Sequence, residues 1–318
     1  MPTDLAGVRV GHAVIGEYYS GCTVFLCPPG TLGSVDVRGP APGSREQALL
    51  GPDKPYEKEI NAVVFTGGSA FGLATADGVM RYLAERGIGH PTPLMPVPIV
   101  PAAVVYDMGF SRGAVLPDAA LGYAACAAAA AGGEIAQGNV GAGAGVTVGK
   151  WGGFDYLMKG GFGVATLTQG ELVVGAAAVV NPIGDVVNED GSVLAGARGA
   201  NGRWLVERYP LRHVQGVALP ESNTTLVLAA TNARLDKPEL NRLAQRAHDG
   251  MAIAIRPVHT RHDGDTAFAL STGRLAADYD LVANTAVAMV CEAIRSAVRH
   301  AYTVGFAPGL AYKGQSRK

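Results

Sequence analysis

A chain of 318 residues that is 48% hydrophobic and 17% charged can bury a sizeable core without staples, and its 44 glycines describe a tightly turned α/β protein, not a disordered or fibrous one. Its 26 basic and 27 acidic residues are mixed along the chain and leave a net charge of −1, which argues against nucleic acid and against a membrane surface as partners.

The start, Met1-Pro2-Thr3-Asp4, has no basic segment and no apolar run after it, so no secretory signal is expected and the expected location is the cytoplasm. An apolar run over 22–27 predicts a strand. Its Cys22 and Cys27, with Cys126 and Cys291, lack C-x-x-C spacing and lie among apolar neighbours, as free thiols in a reducing compartment do. A second strand over 62–65 runs through Gly67 and Gly68 into Ser69 and a helix over 70–86. This order echoes the nucleophile elbow but departs from G-x-S-x-G, so Ser69 is expected to cap the helix. The proline-rich stretch 91–101 must be extended and reads as a connector to a strand over 102–106. A helix follows over 118–131, and its alanine-rich part is too short and too weakly apolar to span a bilayer.

Residues 138–150 are glycine-rich and end in Lys150, but they fit no phosphate-loop template: Trp151 follows the lysine, and no helix pattern follows directly. The glycines there are expected to let backbone pass close to backbone or substrate. Runs over 164–167 and 172–180 around Gln169-Gly170 predict a hairpin. The second run ends in Asn181-Pro182, where the Asn side chain suits an oxyanion donor and equally a turn before proline. Residues 196–222 are turn-rich, end in Pro220-Glu221-Ser222 and suit an exposed linker.

Asn223-Thr224-Thr225 then opens an apolar strand over 226–230. A threonine within a chain is a poor nucleophile, but cleavage of the Asn223–Thr224 bond would give Thr224 a free α-amine able to take the proton from its own Oγ. Read alone, the same residues are also an ordinary turn and strand. The helix predicted over 238–253 is the best signed: Asp236 is near its cap, Pro238 and Glu239 lie in its first turn, and Leu240, Leu243, Ala244, Ala247 and Met251 share one face.

The string 259–266, H-T-R-H-D-G-D-T, is dense in ligand-type residues, yet its histidine spacing matches no zinc signature, so no metal is expected. Asp263 and Asp265 flank Gly264 at the mouth of a strand over 267–270. Two carboxylates so placed can orient a threonine hydroxyl or amine, or simply form an Asx turn. A last helix is predicted over 281–301.

With these residues assembled, the chain resembles, over nearly its whole length, the family of L-aminopeptidase/D-esterases, β-peptidyl aminopeptidases and nylon-oligomer hydrolases. The likeness runs from Gly7-Val8-Arg9-Val10-Gly11-His12 through Gly67–Leu73, Val97–Pro101, Tyr106-Asp107 and Lys159-Gly160-Gly161-Phe162-Gly163 to Asn181, Asn223-Thr224-Thr225 and Asp263-Gly264-Asp265. It implies a four-layer αββα sandwich with two central sheets, formed by a single domain, 1–318, that cuts itself into 1–223 and 224–318. It further implies Thr224 as the nucleophile freed after Asn223, Asp263 and Asp265 as the acidic pair, and Asn181 on the oxyanion side. Lys150 and Tyr106 fall where nylon-hydrolase-like members carry a site lysine and tyrosine.

Some aminopeptidase members have a serine nucleophile and Ser-Gly-Glu where this chain has Asp263-Gly264-Asp265, so substrate preference does not carry across. The expected activity is hydrolysis of small amides, peptides or esters by a self-processing N-terminal-threonine enzyme without cofactor, in a homo-oligomer. The rivals are an acyltransferase resembling ornithine acetyltransferase and a binding protein that keeps the fold but never matures.

Overall fold

In the computed structural model, residues 5–17, 19–54, 59–111, 113, 115–216 and 223–312 are described. The main strands in chain order are β1 (Arg9–Ile15), β2 (Ser20–Leu26), β3 (Leu32–Val37), β4 (Ala62–Thr66), β5 (Ala102–Val104), β6 (Gly161–Gln169), β7 (Leu172–Asn181), β8 (Thr224–Ala233) and β9 (Thr266–Leu275). The long helices are α1 (Thr75–Ala84), α2 (Ala119–Ala131), α3 (Lys237–Ala254) and α4 (Tyr279–Arg299).

One sheet has the order β1-β2-β4-β5 with Ser44–Arg45 at its edge, and the other the order β3-β9-β8-β7-β6. Side-chain alternation decides what lies between them, because successive residues of a strand point to opposite faces. Leu226, Leu228 and Ala230 of β8 join Phe25, Phe65, Phe162 and Phe268 in a core between the two sheets. Val227 and Ala229 face the other way, onto Leu243, Ala247, Val290 and Ile294 of α3 and α4. On the first sheet Cys22, Val24, Ala62 and Val64 face Val79, Leu83, Ala125 and Cys126 of α1 and α2. Both sheets are therefore covered on both faces, and the layers are αββα, as the resemblance implied. The inter-sheet core is tied by aromatic contacts, Phe25 to Phe65 at 4.9 Å edge-on and Phe65 to Phe268 at 5.7 Å between ring centroids.

Helix α3 has the cap that its sequence promises, with the Asp236 side chain accepting from Glu239 N and Glu239 reaching back to Asp236 N. Asp118 and Asp278 cap α2 and α4 with the one-way bond alone, their side chains accepting from Leu121 N and Leu281 N. Helix α4 is long and apolar enough by length and composition to cross a bilayer, but most of its apolar window is buried against the second sheet. A core helix passes the same test.

Three expectations need correction. Ser69 does not cap a helix: it takes φ +54° after Gly68 at φ +78°, with no side-chain capping bond, and its N–H goes to Val105 O at 3.0 Å. The helix expected over 70–86 starts as a tight 3-10 turn, Ser69–Ala74, before α1, because the glycine pair swings the chain under Asp107, which accepts Gly68 N at 2.8 Å. The strand expected over 102–106 stops at Val104, since Tyr106 and Asp107 turn towards the end of the second sheet. The proline-rich connector is pinned by mutual backbone bonds between His90 and Val97 at 2.8 and 2.9 Å. Pro220-Glu221-Ser222 lies outside the described residues.

Candidate active site

Three strand ends meet at one end of the second sheet. β7 runs antiparallel to β8 with Asn181 opposite Thr224, and β8 runs parallel to β9 with a bridge between Asn223 and Asp263. That topology brings together residues far apart in sequence: Asn181, Asn223-Thr224 and the segment 259–265.

Asn223 and Thr224 are both buried. Asn223 N donates to His262 O at 2.9 Å, and the Asn223 carbonyl oxygen accepts from Gly264 N at 2.8 Å and from the hydroxyl of Thr224 itself. The hydroxyl thus lies against the carbonyl of its own preceding peptide, and a backbone amide polarises that carbonyl from another side.

Asp265 is fully buried: one oxygen accepts Thr225 N at 2.7 Å, and the other accepts His259 N and Nδ1 at 3.1 and 2.7 Å. Asp263, equally buried, accepts Thr260 N at 3.1 Å, Thr260 Oγ1 at 2.5 Å and Ile183 N at 3.4 Å. Burial, followed by the charge of Asp265, raises the Asp263 pKa. Asp265 thus holds the amide next to Thr224, while Asp263 ties its own loop to the turn after Asn181.

Asn181 is oriented unambiguously. Its Oδ1 accepts from Lys150 Nζ at 2.8 Å and Thr147 N at 3.1 Å, and its Nδ2 donates to Tyr106 O at 2.9 Å, which leaves one further N–H on Nδ2. Lys150 also donates to Asn181 O at 3.0 Å, and its burial lowers its pKa against the opposing pull of Asp263. Tyr106 contributes its carbonyl to Asn181, while its ring stands at a cavity of about 90 Å³ lined also by Asp107, Lys150, Phe154, Asn223 and Phe306. That is several times the roughly 10–15 Å³ that admits one water. All six residues singled out from the sequence therefore gather at this end of the sheet.

Four further residues belong to the site's surroundings. Gly264 supplies the amide on the Asn223 carbonyl, and His259 grips Asp265. Lys159 is buried beneath the glycine-rich loop, donates to Ala144 O and Val146 O at 2.7 and 2.8 Å, and has its pKa pushed down to about 7 by burial. Asp107, whose charge opposes that shift, is itself raised to about 6 by burial. Both lie in strings that carry the family likeness, Tyr106-Asp107 and Lys159-Gly160-Gly161-Phe162-Gly163, but nothing in those strings marked the two groups as buried and facing each other. The loop glycines do let chain pass chain: a Cβ at Gly145 would fall 2.1 Å from Tyr19 O. Among the described residues no three His, Cys, Asp or Glu side chains gather as metal ligands.

Residues 2–313 match the profile of peptidase family S58. An uncharacterized aminopeptidase of Mycobacterium leprae is 41% identical over 303 residues, covering 86% of this chain and 79% of its own length. A 6-aminohexanoate-oligomer endohydrolase of Paenarthrobacter ureafaciens is 34% identical over 281 residues, covering 86% and 75%. Among solved structures, a Burkholderia sp. beta-aminopeptidase superposes with TM-score 0.68 at 22% identity over 97% of this chain and 90% of its own. The L-aminopeptidase D-Ala-esterase/amidase of Ochrobactrum anthropi, described as a variant of the Ntn-hydrolase fold, superposes with TM-score 0.69 at 19% identity over 98% and 90%. The fold is shared with these two.

Proposed function

From the premise that the chain belongs to peptidase family S58 and is a hydrolase of amide bonds, we propose that it matures by cutting its own Asn223–Thr224 bond and then uses Thr224 as an N-terminal nucleophile. The observation that carries this reading is the hydroxyl of Thr224 on the Asn223 carbonyl, with Gly264 N donating to the same oxygen. In maturation Thr224 Oγ attacks the Asn223 carbonyl carbon, the C–N bond between Asn223 and Thr224 breaks, and the departing nitrogen takes the hydroxyl proton, which leaves an ester and a free amine. Water then hydrolyses the ester, leaving a carboxylate on Asn223 and a free amine and hydroxyl on Thr224.

In turnover the α-amine, with an ordinary pKa of about 7.7–8.0, accepts the Oγ proton as the hydroxyl attacks a substrate carbonyl. The remaining N–H of Asn181 is the proposed oxyanion donor, held in place by Lys150 and Tyr106. Before the cut, Asn223 lines the cavity that the acyl side of a substrate takes afterwards. The substrates proposed are small amides, peptides or esters, with the aromatic rim of Tyr106, Phe154 and Phe306 at the mouth of that cavity.

We place the enzyme in the cytoplasm, a reading supported by four free cysteines, and in a homo-oligomer, for which the exposed Ile88, Leu94, Met95 and Val97 supply apolar surface. Sedimentation reads the latter. The experiment for the central proposal is intact-mass measurement with N-terminal sequencing of protein incubated after purification. Two fragments are expected, the second beginning at Thr224, and Thr224→Ala is expected to stay whole. Active protein without a Thr224 terminus overturns the mechanism.

A further inference from the structure

We infer that His259 is a positioning residue for the nucleophile, acting through Asp265 on the first residues of β8. The inference rests on the reading of Thr224 given above. His259 takes φ +53°, a left-handed conformation uncommon for a residue with a Cβ. That conformation lets its own N–H and its Nδ1 converge on one oxygen of Asp265, while the other oxygen holds Thr225 N, the amide next to the nucleophile. The chain of contacts from imidazole to carboxylate to strand is therefore direct, and every link in it is 3.1 Å or shorter.

The tautomer follows from the surroundings. Nδ1 faces a carboxylate and must donate, whereas Nε2 is buried without a hydrogen-bond partner, so the neutral ring with its proton on Nδ1 leaves no donor stranded. Against this ring packs His248 of α3, edge-on at 4.8 Å between centroids, with its Nε2 on Asp36 O at 3.1 Å. Burial holds His248 below its ordinary pKa. The charged and titratable groups around the pair are Asp36 in β3 and Arg38 just after it, Asp263 and Asp265 in the loop of His259, and Lys150 from the glycine-rich segment. Because the charge of Asp265 is one cause that raises Asp263, after burial, a donor on Asp265 also bears on Asp263.

The test compares maturation rates of full-length wild type, His259→Gly and His259→Asn across pH, followed by intact mass. Glycine accepts the left-handed backbone but has no donor. Asparagine tolerates that backbone and carries an N–H where Nδ1 stands. Glycine is expected to slow the appearance of the Thr224 terminus by roughly 10- to 100-fold, the worth of a hydrogen bond to a charged group, and to move the acid limb of the profile up by about one unit. Asparagine is expected to restore most of the rate and the limb. If the glycine variant does not fold, as read by its thermal melt, His259→Gln takes its place, since its amide lies where Nε2 was and misses Asp265. A glycine variant with wild-type rate and limb, or an asparagine variant as slow as the donor-free one, overturns the inference while the Thr224 reading stands. Wild type that never yields the Thr224 terminus overturns both.

Discussion

Gly264 shows how little room the Thr224 hydroxyl has. A Cβ there would fall 2.7 Å from Thr224 Oγ1 and 2.6 Å from Ala41 O, and the second of these is backbone, so the hydroxyl has to move. Displacements of about 1 Å at a reacting atom cost on the order of 10²-fold in rate. Gly264→Ala is accordingly expected to slow maturation by roughly that factor, measured by intact mass, and maturation at the wild-type rate would show that the hydroxyl is not the attacking group. Asn181 is judged in processed enzyme, where Asn181→Ala is expected to lower kcat by roughly 10²–10³ with a smaller change in KM, as when one oxyanion donor is lost. A processed variant with near-normal kcat would make Asn181 only an anchor for Lys150 and Thr147.

The helices are held by two different devices. Helix α3 is closed by its reciprocal cap, so Asp236→Ala is expected to cost about 1 kcal/mol of stability, read as a lower urea midpoint in the uncut Thr224→Ala background, and to leave maturation in the Thr224-bearing chain unchanged. Helix α4 instead lies directly on glycines of β6: a Cβ at Gly163 would fall 2.1 Å from Ala293 O. Gly163→Ala must push a helix off a strand, an overpacking cost of about 1–3 kcal/mol. The same urea titration distinguishes the two, and a Gly163→Ala variant as stable as its parent would mean the helix shifts freely.

At the scale of the whole molecule, β8 and β9, which would belong to the fragment 224–318, sit between β3 and β7 of the fragment 1–223. A cut at Asn223 therefore leaves both fragments in one sheet and one core, and they are expected to co-elute in gel filtration and part only in denaturant. Buried titratable groups set how stability depends on pH. Lys159 is lowered to about 7 from 10.5, so the unfolded chain binds more protons across that window and stability rises with pH from 7. Cys22, Cys27 and Cys126 are raised to about 12 from 9.0, so the folded chain binds more protons there and stability falls as pH rises through 9. His12, lowered to about 4 from 6.5, removes stability as pH falls below 6.5. The urea midpoint of Thr224→Ala is expected to be higher at pH 8.5 than at pH 6.5, and Lys159→Met is expected to flatten that rise. An equal slope in both proteins would refute the role given to Lys159.

Period-two and helical patterns read along the chain were enough for the hairpin of β6 and β7, for β8 and β9 and for the capped α3, because those signals are local and most of the apolar residues that carry them are buried. They did not reveal β1 and β3, whose sequences RVGHAVI and LGSVDV mix glycine and polar residues into half-exposed strands. Asn223-Thr224 and Asp263-Gly264-Asp265 were visible as strings, and likeness to a family made them a candidate site. What they touch was decided by the tertiary structure, through hydrogen bonds that join Thr225 to Asp265 across 40 residues and Asn181 to Tyr106 across 75. His259, Gly264 and the pair Lys159 and Asp107 act through contacts of that kind or through burial. A residue's own sequence neighbourhood carries no information about which distant strand end will lie beside it, since sheet order and register are settled only when the layers pack.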